Sequence, residues 1–219
     1  MTYRAVIFDL DGTLLDSLGG IAEATNQLLT ELGYPVFPVE DYRYFVGKGI
    51  EELFINTIPK DKLPNHSMDT LINDYREIYN RVWPQTTRPY DGITELLDAL
   101  VEKEIPMSIL SNKSQSFTER MVEELLPGYP FFRVWGHRPG VPLKPNSKSA
   151  RAIATELGIP PKEFLFVGDT GIDMKTGRRA GMSTVGVMWG FRDWEELYKS
   201  GADAITSSPD TILKLINFG

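Results

Sequence analysis

Three short apolar runs, none alternating with polar residues, each end abruptly in chemistry-bearing side chains. Ala5-Val6-Ile7-Phe8 runs into Asp9, Met107-Ser108-Ile109-Leu110 into Ser111-Asn112, and Phe164-Leu165-Phe166-Val167 into Gly168-Asp169. A strand with one wet face alternates, whereas a strand covered on both faces reads as a continuous apolar run. The runs therefore predict buried strands of a parallel sheet. Ser183–Val187 and the weaker Ala202–Ile205 extend the series. Between them lie apolar residues at helical spacing: Ile93, Leu96, Leu97 and Leu100 within 92–104, Phe117, Met121, Val122 and Leu125 within 116–126, and Ala150, Ile153, Ala154 and Leu157 before Gly158. Strands alternating with helices predict an α/β fold, a parallel sheet flanked by helices on both faces.

The stretch after the first strand differs. Ile21, Ala24, Leu28, Leu29 and Leu32 form one helical stripe, and Leu71, Tyr75, Ile78 and Val82 another, with Pro35, Pro38, Pro59 and Pro64 between them. No strand pattern interrupts this region. It predicts a small all-helical cap over residues 17–88, inserted into a core made of 1–16 and 89–219.

Composition removes several classes of function. A formal net charge of -7 argues against a basic face for nucleic acid or an anionic membrane surface. The absence of cysteine excludes disulfides, thiolate nucleophiles and Cys-based zinc sites. No run approaches the roughly 20 apolar residues of a membrane span, and the N-terminal apolar run, Ala5–Phe8, is too short for a secretory signal. The expectation is a cytoplasmic protein, monomer or homodimer, acting on a small molecule.

In a parallel sheet the carboxyl ends of strands meet at one crevice. That geometry would gather Asp9, Asp11, Gly12 and Thr13 from the first strand, Ser111 and Asn112 from the second, and Asp169 and Asp173 from a later one, with Lys144 in an intervening loop. Clustered carboxylates repel one another, and oxygen-only ligands suit Mg²⁺. A phosphate would bridge the metal, Lys144, the Ser111 hydroxyl and N–H groups near Gly12, with Thr13 and Asn112 also among its expected ligands. Asp9 would attack phosphorus as a carboxylate nucleophile. Asp11 would serve as general acid and then general base.

The segment Phe8 to Ser17, FDLDGTLLDS, resembles the first motif of the haloacid dehalogenase superfamily in its phosphatase branch. Ser111, Lys144-Pro145, and Gly168-Asp169 with Asp173 stand in the order of its other three motifs. The resemblance spans essentially the whole chain and implies a Rossmann-like core with a helical cap. It assigns Asp9 as nucleophile and Asp11 as acid–base. It places the metal on the Asp9 side chain, the Asp11 carbonyl and Asp169, with Asp173 supporting the metal shell or orienting Lys144. The pattern is most similar to bacterial phosphoglycolate phosphatases and their relatives, which makes phosphoglycolate the leading substrate candidate. The segment Phe45 to Ile50, FVGKGI, looks like their cap loop, where Lys48 would meet a substrate carboxylate. Departures from that group are Thr170 for serine, Gly177 for alanine, Ser147 for proline, and no acidic residue in 136–140.

Blander readings stand beside these. Asp9 and Asp11 suit a turn, Ser111-Asn112 a helix cap, and Asp173 a helix first turn. Lys48, His66, His137, Arg178 and Arg179 suit solvated surface, and Trp83, Trp135, Trp189 and Trp194 suit packing. Among functions, a sugar-phosphate mutase, a pyrophosphatase or a nucleotidase would share all four motifs. A haloacid dehalogenase would lack Asp11 and need no magnesium. A non-catalytic relative would have lost site residues, and none is missing.

Overall fold

The computed structural model describes residues 3–217. Strand β1 (Ala5–Phe8) and a short β2 (Leu15–Asp16) precede four helices: α1 (Leu18–Glu31), α2 (Tyr42–Phe45), α3 (Ile50–Thr57) and α4 (Met68–Thr86). After these come β3 (Arg88–Pro89), α5 (Ile93–Glu102), β4 (Met107–Ser114), α6 (Gln115–Leu125), β5 (Phe131–His137) and α7 (Lys148–Leu157). The chain closes with β6 (Phe164–Gly168), α8 (Gly171–Ala180), β7 (Ser183–Val187), α9 (Trp194–Lys199), β8 (Ala204–Thr206) and α10 (Asp210–Asn217).

Six strands form one sheet in the order β5-β4-β1-β6-β7-β8, and every neighbouring pair is parallel. The chain builds outward from β1 through β4 to β5, then returns to the other side of β1 for β6. The carboxyl ends of β4, β1 and β6 thus border the point where winding reverses, the place where open α/β sheets form their crevice.

The apolar runs are explained by burial on two sides. Val6 and Phe8 of β1 join one hydrophobic cluster with Leu165 and Val167. Ala5 and Ile7 join the other, with Phe164, Phe166 and the α7 residues Ala150, Ile153 and Ala154. Each such large side chain contributes about 1.5–3 kcal/mol on burial. That burial anchors β1 and so fixes the position of Asp9 at its end.

Between Leu18 and Thr86 the described residues form helices and loops without a strand. Helix α1 packs on α4, and Ile21, Ala24, Leu28 and Leu29 are buried, as are Leu71, Tyr75, Ile78 and Val82. The strand pair β2–β3 is antiparallel, Leu15 opposite Pro89 and Asp16 opposite Arg88. The chain therefore leaves for the helices and returns from them at adjacent points. No helix of the described residues is long and apolar enough to cross a membrane.

The structure adds elements that the sequence pattern did not reveal. β5 is an edge strand, half-buried along most of its length, so Arg133 and the aromatic residues around it give neither a clean alternation nor an apolar run. The last strand lies at Ala204–Thr206, displaced toward the C-terminus from the expected 202–205. β4 continues through Ser111 and Asn112 to Ser114, with a register irregularity after Leu110.

Candidate active site

Asp9 comes directly after the last residue of β1, and its N–H still donates to the Val167 carbonyl at 2.9 Å. The sheet thus holds its backbone while the side chain enters the crevice. Asp169 and Asp173 arrive from the end of β6 and the first turn of α8. Oxygens of Asp9, Asp169 and Asp173 lie within 4.8 Å of one another. Lys144 reaches this group from the loop before α7, its Nζ 2.8 Å from Asp9 Oδ1 and 2.7 Å from Asp173 Oδ1.

Each carboxylate is fixed by its own donors. Leu10 N–H donates to Asp9 Oδ1 at 2.7 Å. Thr13 Oγ1 and Phe191 N–H donate to the two oxygens of Asp169, at 3.1 and 2.8 Å. Thr170 donates to Asp173 Oδ2 from its N–H and its hydroxyl, at 3.1 and 2.6 Å. Thr170 and Asp173 close a capping box on α8, so Asp173 serves both the helix start and Lys144. Gly12 turns the chain with φ 82°, and a Cβ there would stand 2.3 Å from Asp169 Oδ2.

Burial dominates the electrostatics. It pushes the Asp9 carboxyl up to about 7, with Lys144 opposing and Asp173 adding to the rise. Asp169 is held well above the ordinary carboxylate range by burial, then by the charges of Asp173 and Asp9. Burial alone would lower the Lys144 ammonium, but Asp173 and Asp9 outweigh it and hold its pKa above the usual lysine value. Three carboxyl groups face one ammonium, so protons or a cation must offset the charge that Lys144 does not. Buried charges persist when paired or bound to a metal, and an all-oxygen donor set matches a hard divalent cation. The residues therefore fit such an ion.

The other expected residues lie around this cluster. Asp11 borders the crevice but not the acidic cluster. Its carboxylate accepts from Ser17 Oγ at 2.6 Å. Ser111 is buried at the edge of a cavity of about 430 Å³ between the sheet ends and the helical segment, lined by Asp9, Asp11, Tyr79, Phe117 and Leu143 among others.

Asn112, read from the sequence as a phosphate ligand, has its amide engaged elsewhere. Its Oδ1 accepts from Lys144 N–H at 2.8 Å, and its Nδ2 donates to the carbonyls of Lys144 and Gly47, at 3.1 and 2.9 Å. Lys48 lines the cavity, but its side chain is 63% exposed and its Nζ pairs with Glu52 at 3.1 Å.

One residue escaped the sequence reading. Lys113 comes directly after Asn112, and its Nζ lies 3.2 and 3.1 Å from the two Asp11 oxygens and 2.9 Å from the Tyr79 hydroxyl. A lysine two residues beyond the expected Ser111 was the available signal.

The arrangement has counterparts. A family model described as haloacid dehalogenase-like hydrolase matches residues 6–187. A phosphoglycolate phosphatase of Nitrosospira multiformis is 32% identical over 220 residues, covering 97% of this chain and 95% of that one. One from Aquifex aeolicus is 31% identical, covering 98% and 97%. Among solved structures, a candidate phosphoglycolate phosphatase from Lactobacillus delbrueckii subsp. bulgaricus superposes with a TM-score of 0.84 at 28% identity, over 99% of each chain. A candidate β-phosphoglucomutase from Thermotoga maritima shares the fold with a TM-score of 0.76 at 21% identity, over 98% of each chain. With the match running from β1 through β7 and so embracing every residue of the acidic cluster, the chain belongs to the haloacid dehalogenase-like hydrolases.

Proposed function

We propose that this hydrolase is a Mg²⁺-dependent phosphatase that removes phosphate from a small phosphorylated metabolite, with phosphoglycolate the leading candidate. The observation that carries the reading is the buried group of Asp9, Asp169 and Asp173 held by a single ammonium, Lys144. Such a group suits a divalent cation and a dianionic ligand together. The substrate comes from the relatives named phosphoglycolate phosphatase.

Asp9 Oδ bonds to phosphorus as the ester P–O bond breaks, giving an aspartyl phosphate. Asp11 gives its proton to the departing ester oxygen. It then takes a proton from the water that attacks the phosphoenzyme, releasing inorganic phosphate and restoring Asp9. The Ser111 hydroxyl holds a phosphate oxygen, whereas the Thr13 hydroxyl stays on Asp169 and the Gly12 N–H on the Leu15 carbonyl, so those two residues shape the site and do not bind the phosphate. Lys144 keeps Asp9 in place and offsets negative charge, and Asp173 holds Lys144. The Asp9 and Asp169 carboxylates and the Asp11 carbonyl would hold Mg²⁺, which when bound offsets the charge that accumulates during phosphoryl transfer. Residues 17–88 form the cap that excludes water from this step.

The test is phosphate release from phosphoglycolate, sugar phosphates, nucleotides and pyrophosphate, with Mg²⁺ and with EDTA. Release is expected with Mg²⁺ only, and none from Asp9→Asn of unchanged circular dichroism. Normal turnover in that variant ends the covalent reading. An isomeric phosphate ester as product, in place of free phosphate, would make the enzyme a mutase.

A further inference from the structure

The lysines around the cavity are not equivalent. Lys144 is committed to Asp9 and Asp173, and Lys48 is exposed and paired with Glu52. Lys113 has a side chain only 9% exposed and touches Asp11 at the edge of the cavity. Resting on the phosphatase reading above, we propose that Lys113 is the specificity residue of the site. It receives a carboxylate borne on the carbon next to the ester oxygen, so that the substrate class is 2-phosphorylated carboxylic acids.

The placement rests on the roles of its neighbours. A general acid must come within about 2.6–3.2 Å of the oxygen it protonates. A carboxylate on the adjoining carbon is only two covalent bonds from that oxygen. An ammonium already 3.1 Å from Asp11 is therefore within reach of it.

Charge points the same way. Asp9, Asp11, Asp169 and Asp173 surround the crevice, and a further carboxylate enters only where a cation meets it. The apolar walls of Tyr75, Phe117 and Leu143 strengthen that attraction by excluding water.

Lys113 is also built to change partners. Asp11 keeps the Ser17 hydroxyl at 2.6 Å if the ammonium turns away, so it is not left bare. The Tyr79 hydroxyl, 2.9 Å from Nζ on helix α4, stays as the anchor. A cavity of about 430 Å³ accommodates longer chains on the carboxylated carbon, which is why the class is wider than its two-carbon member.

The deciding measurement is kcat/KM with Mg²⁺ for phosphoglycolate against its uncharged amide, in the wild-type protein, Lys113→Met and Lys48→Met. The wild type is expected to favour the acid by about ten- to a hundredfold, the worth of a hydrogen bond to a charged group. In Lys113→Met the ratio should fall toward one. Equal use of acid and amide by the wild type, survival of the ratio in Lys113→Met, or its collapse in Lys48→Met instead, overturns the proposal.

Hydrolysis of p-nitrophenyl phosphate separates the two levels. Turnover of that ester without use of phosphoglycolate sinks the role of Lys113 alone, whereas no hydrolysis of any ester sinks the phosphatase reading. If Lys113→Met does not fold, product inhibition of the wild type decides. Glycolate should then inhibit at a concentration at least about tenfold below glycolamide, and equal inhibition overturns the proposal.

Discussion

Lys144 and Asp173 form an ion pair 2.7 Å long from which water is excluded, the two side chains being 4% and 0% exposed. The same ammonium holds Asp9 at 2.8 Å. Removing one member of a buried pair leaves its partner charged in a poor solvent, at a cost of about 3–5 kcal/mol. Lys144→Met strips from three clustered carboxylates the only ammonium that pairs with them among the described residues. Metal-free Lys144→Met should therefore unfold at a markedly lower urea midpoint than the wild type, and Mg²⁺ should recover part of the loss. Adding Asp9→Asn to the variant removes one of the stranded charges and should also restore stability. An unchanged midpoint would mean that the pair contributes nothing net.

Protons and metal compete for the same oxygens. Burial pushes Asp9 from 3.8 up to about 7, and it raises Asp169 as well. Between those pH values the folded protein holds a proton that the unfolded chain has already released. The slope of stability against pH tracks the excess of protons in the unfolded state, which is negative here. These groups therefore make the metal-free fold less stable as pH rises through the window from about 4 to about 7. A bound cation replaces the proton, so Mg²⁺ affinity should weaken as pH falls below about 7, by up to about tenfold per unit for each proton displaced. Calorimetric titration about one pH unit either side of 7 checks the affinity, and thermal unfolding with and without Mg²⁺ checks the stability. Equal affinity at both pH values would show that neither carboxyl is protonated near neutrality.

The sheet and its crevice were legible because burial on both faces leaves a plain signature: β1, β6 and the first half of β4 are apolar runs that lead into Asp9, Asp169 and Ser111. The edge strand β5 was not, because half-burial permits Arg133 and mixed aromatics. The gathering of Asp9, Asp169 and Asp173 was legible from residue type and spacing. The task of a long or amide side chain was not, since it depends on where the side chain ends. Asn112 fastens a peptide, Lys48 turns to Glu52, and Lys113, undistinguished as a lysine after a strand, reaches Asp11. Asn112 and Lys113 are placed by contacts with residues distant in the chain, and Lys48 by Glu52 in the first turn of α3.

Asn112 ties three segments together: its own strand β4, the Lys144 peptide through two hydrogen bonds, and the Gly47 carbonyl of the helical segment through a third. Asn112→Ala removes all three and leaves the Lys144 N–H without its partner. Unmet buried donors cost about 1–3 kcal/mol. Activity should fall further than stability alone explains, because the loop that aims Lys144 is loosened. The check is kcat compared at a temperature where both proteins remain folded. Asn112→Asp keeps the acceptor for Lys144 N–H and should recover part of kcat. A full kcat in Asn112→Ala would show that the loop needs no such tie.

Gly190 bears on the acidic cluster without contributing a side chain. Its carbonyl accepts from Arg43 at 2.6 Å, and the next N–H, that of Phe191, donates to Asp169 at 2.8 Å. A Cβ at Gly190 would stand 2.3 Å from both Asp169 Cβ and the Gly12 carbonyl. Neither is the far end of a flexible side chain, so the loop or Asp169 must move. Groups that orient a metal ligand are commonly worth about 10–100-fold in metal affinity. Gly190→Ala should therefore lose Mg²⁺ affinity on that scale. Gly19→Ala, in α1 with nothing within 4 Å of its Cβ, should leave the affinity unchanged and stabilise the helix by about 0.5–1 kcal/mol. Calorimetric Mg²⁺ titration and urea unfolding of both variants give the comparison, and wild-type Mg²⁺ affinity in Gly190→Ala would show that the loop yields without disturbing Asp169.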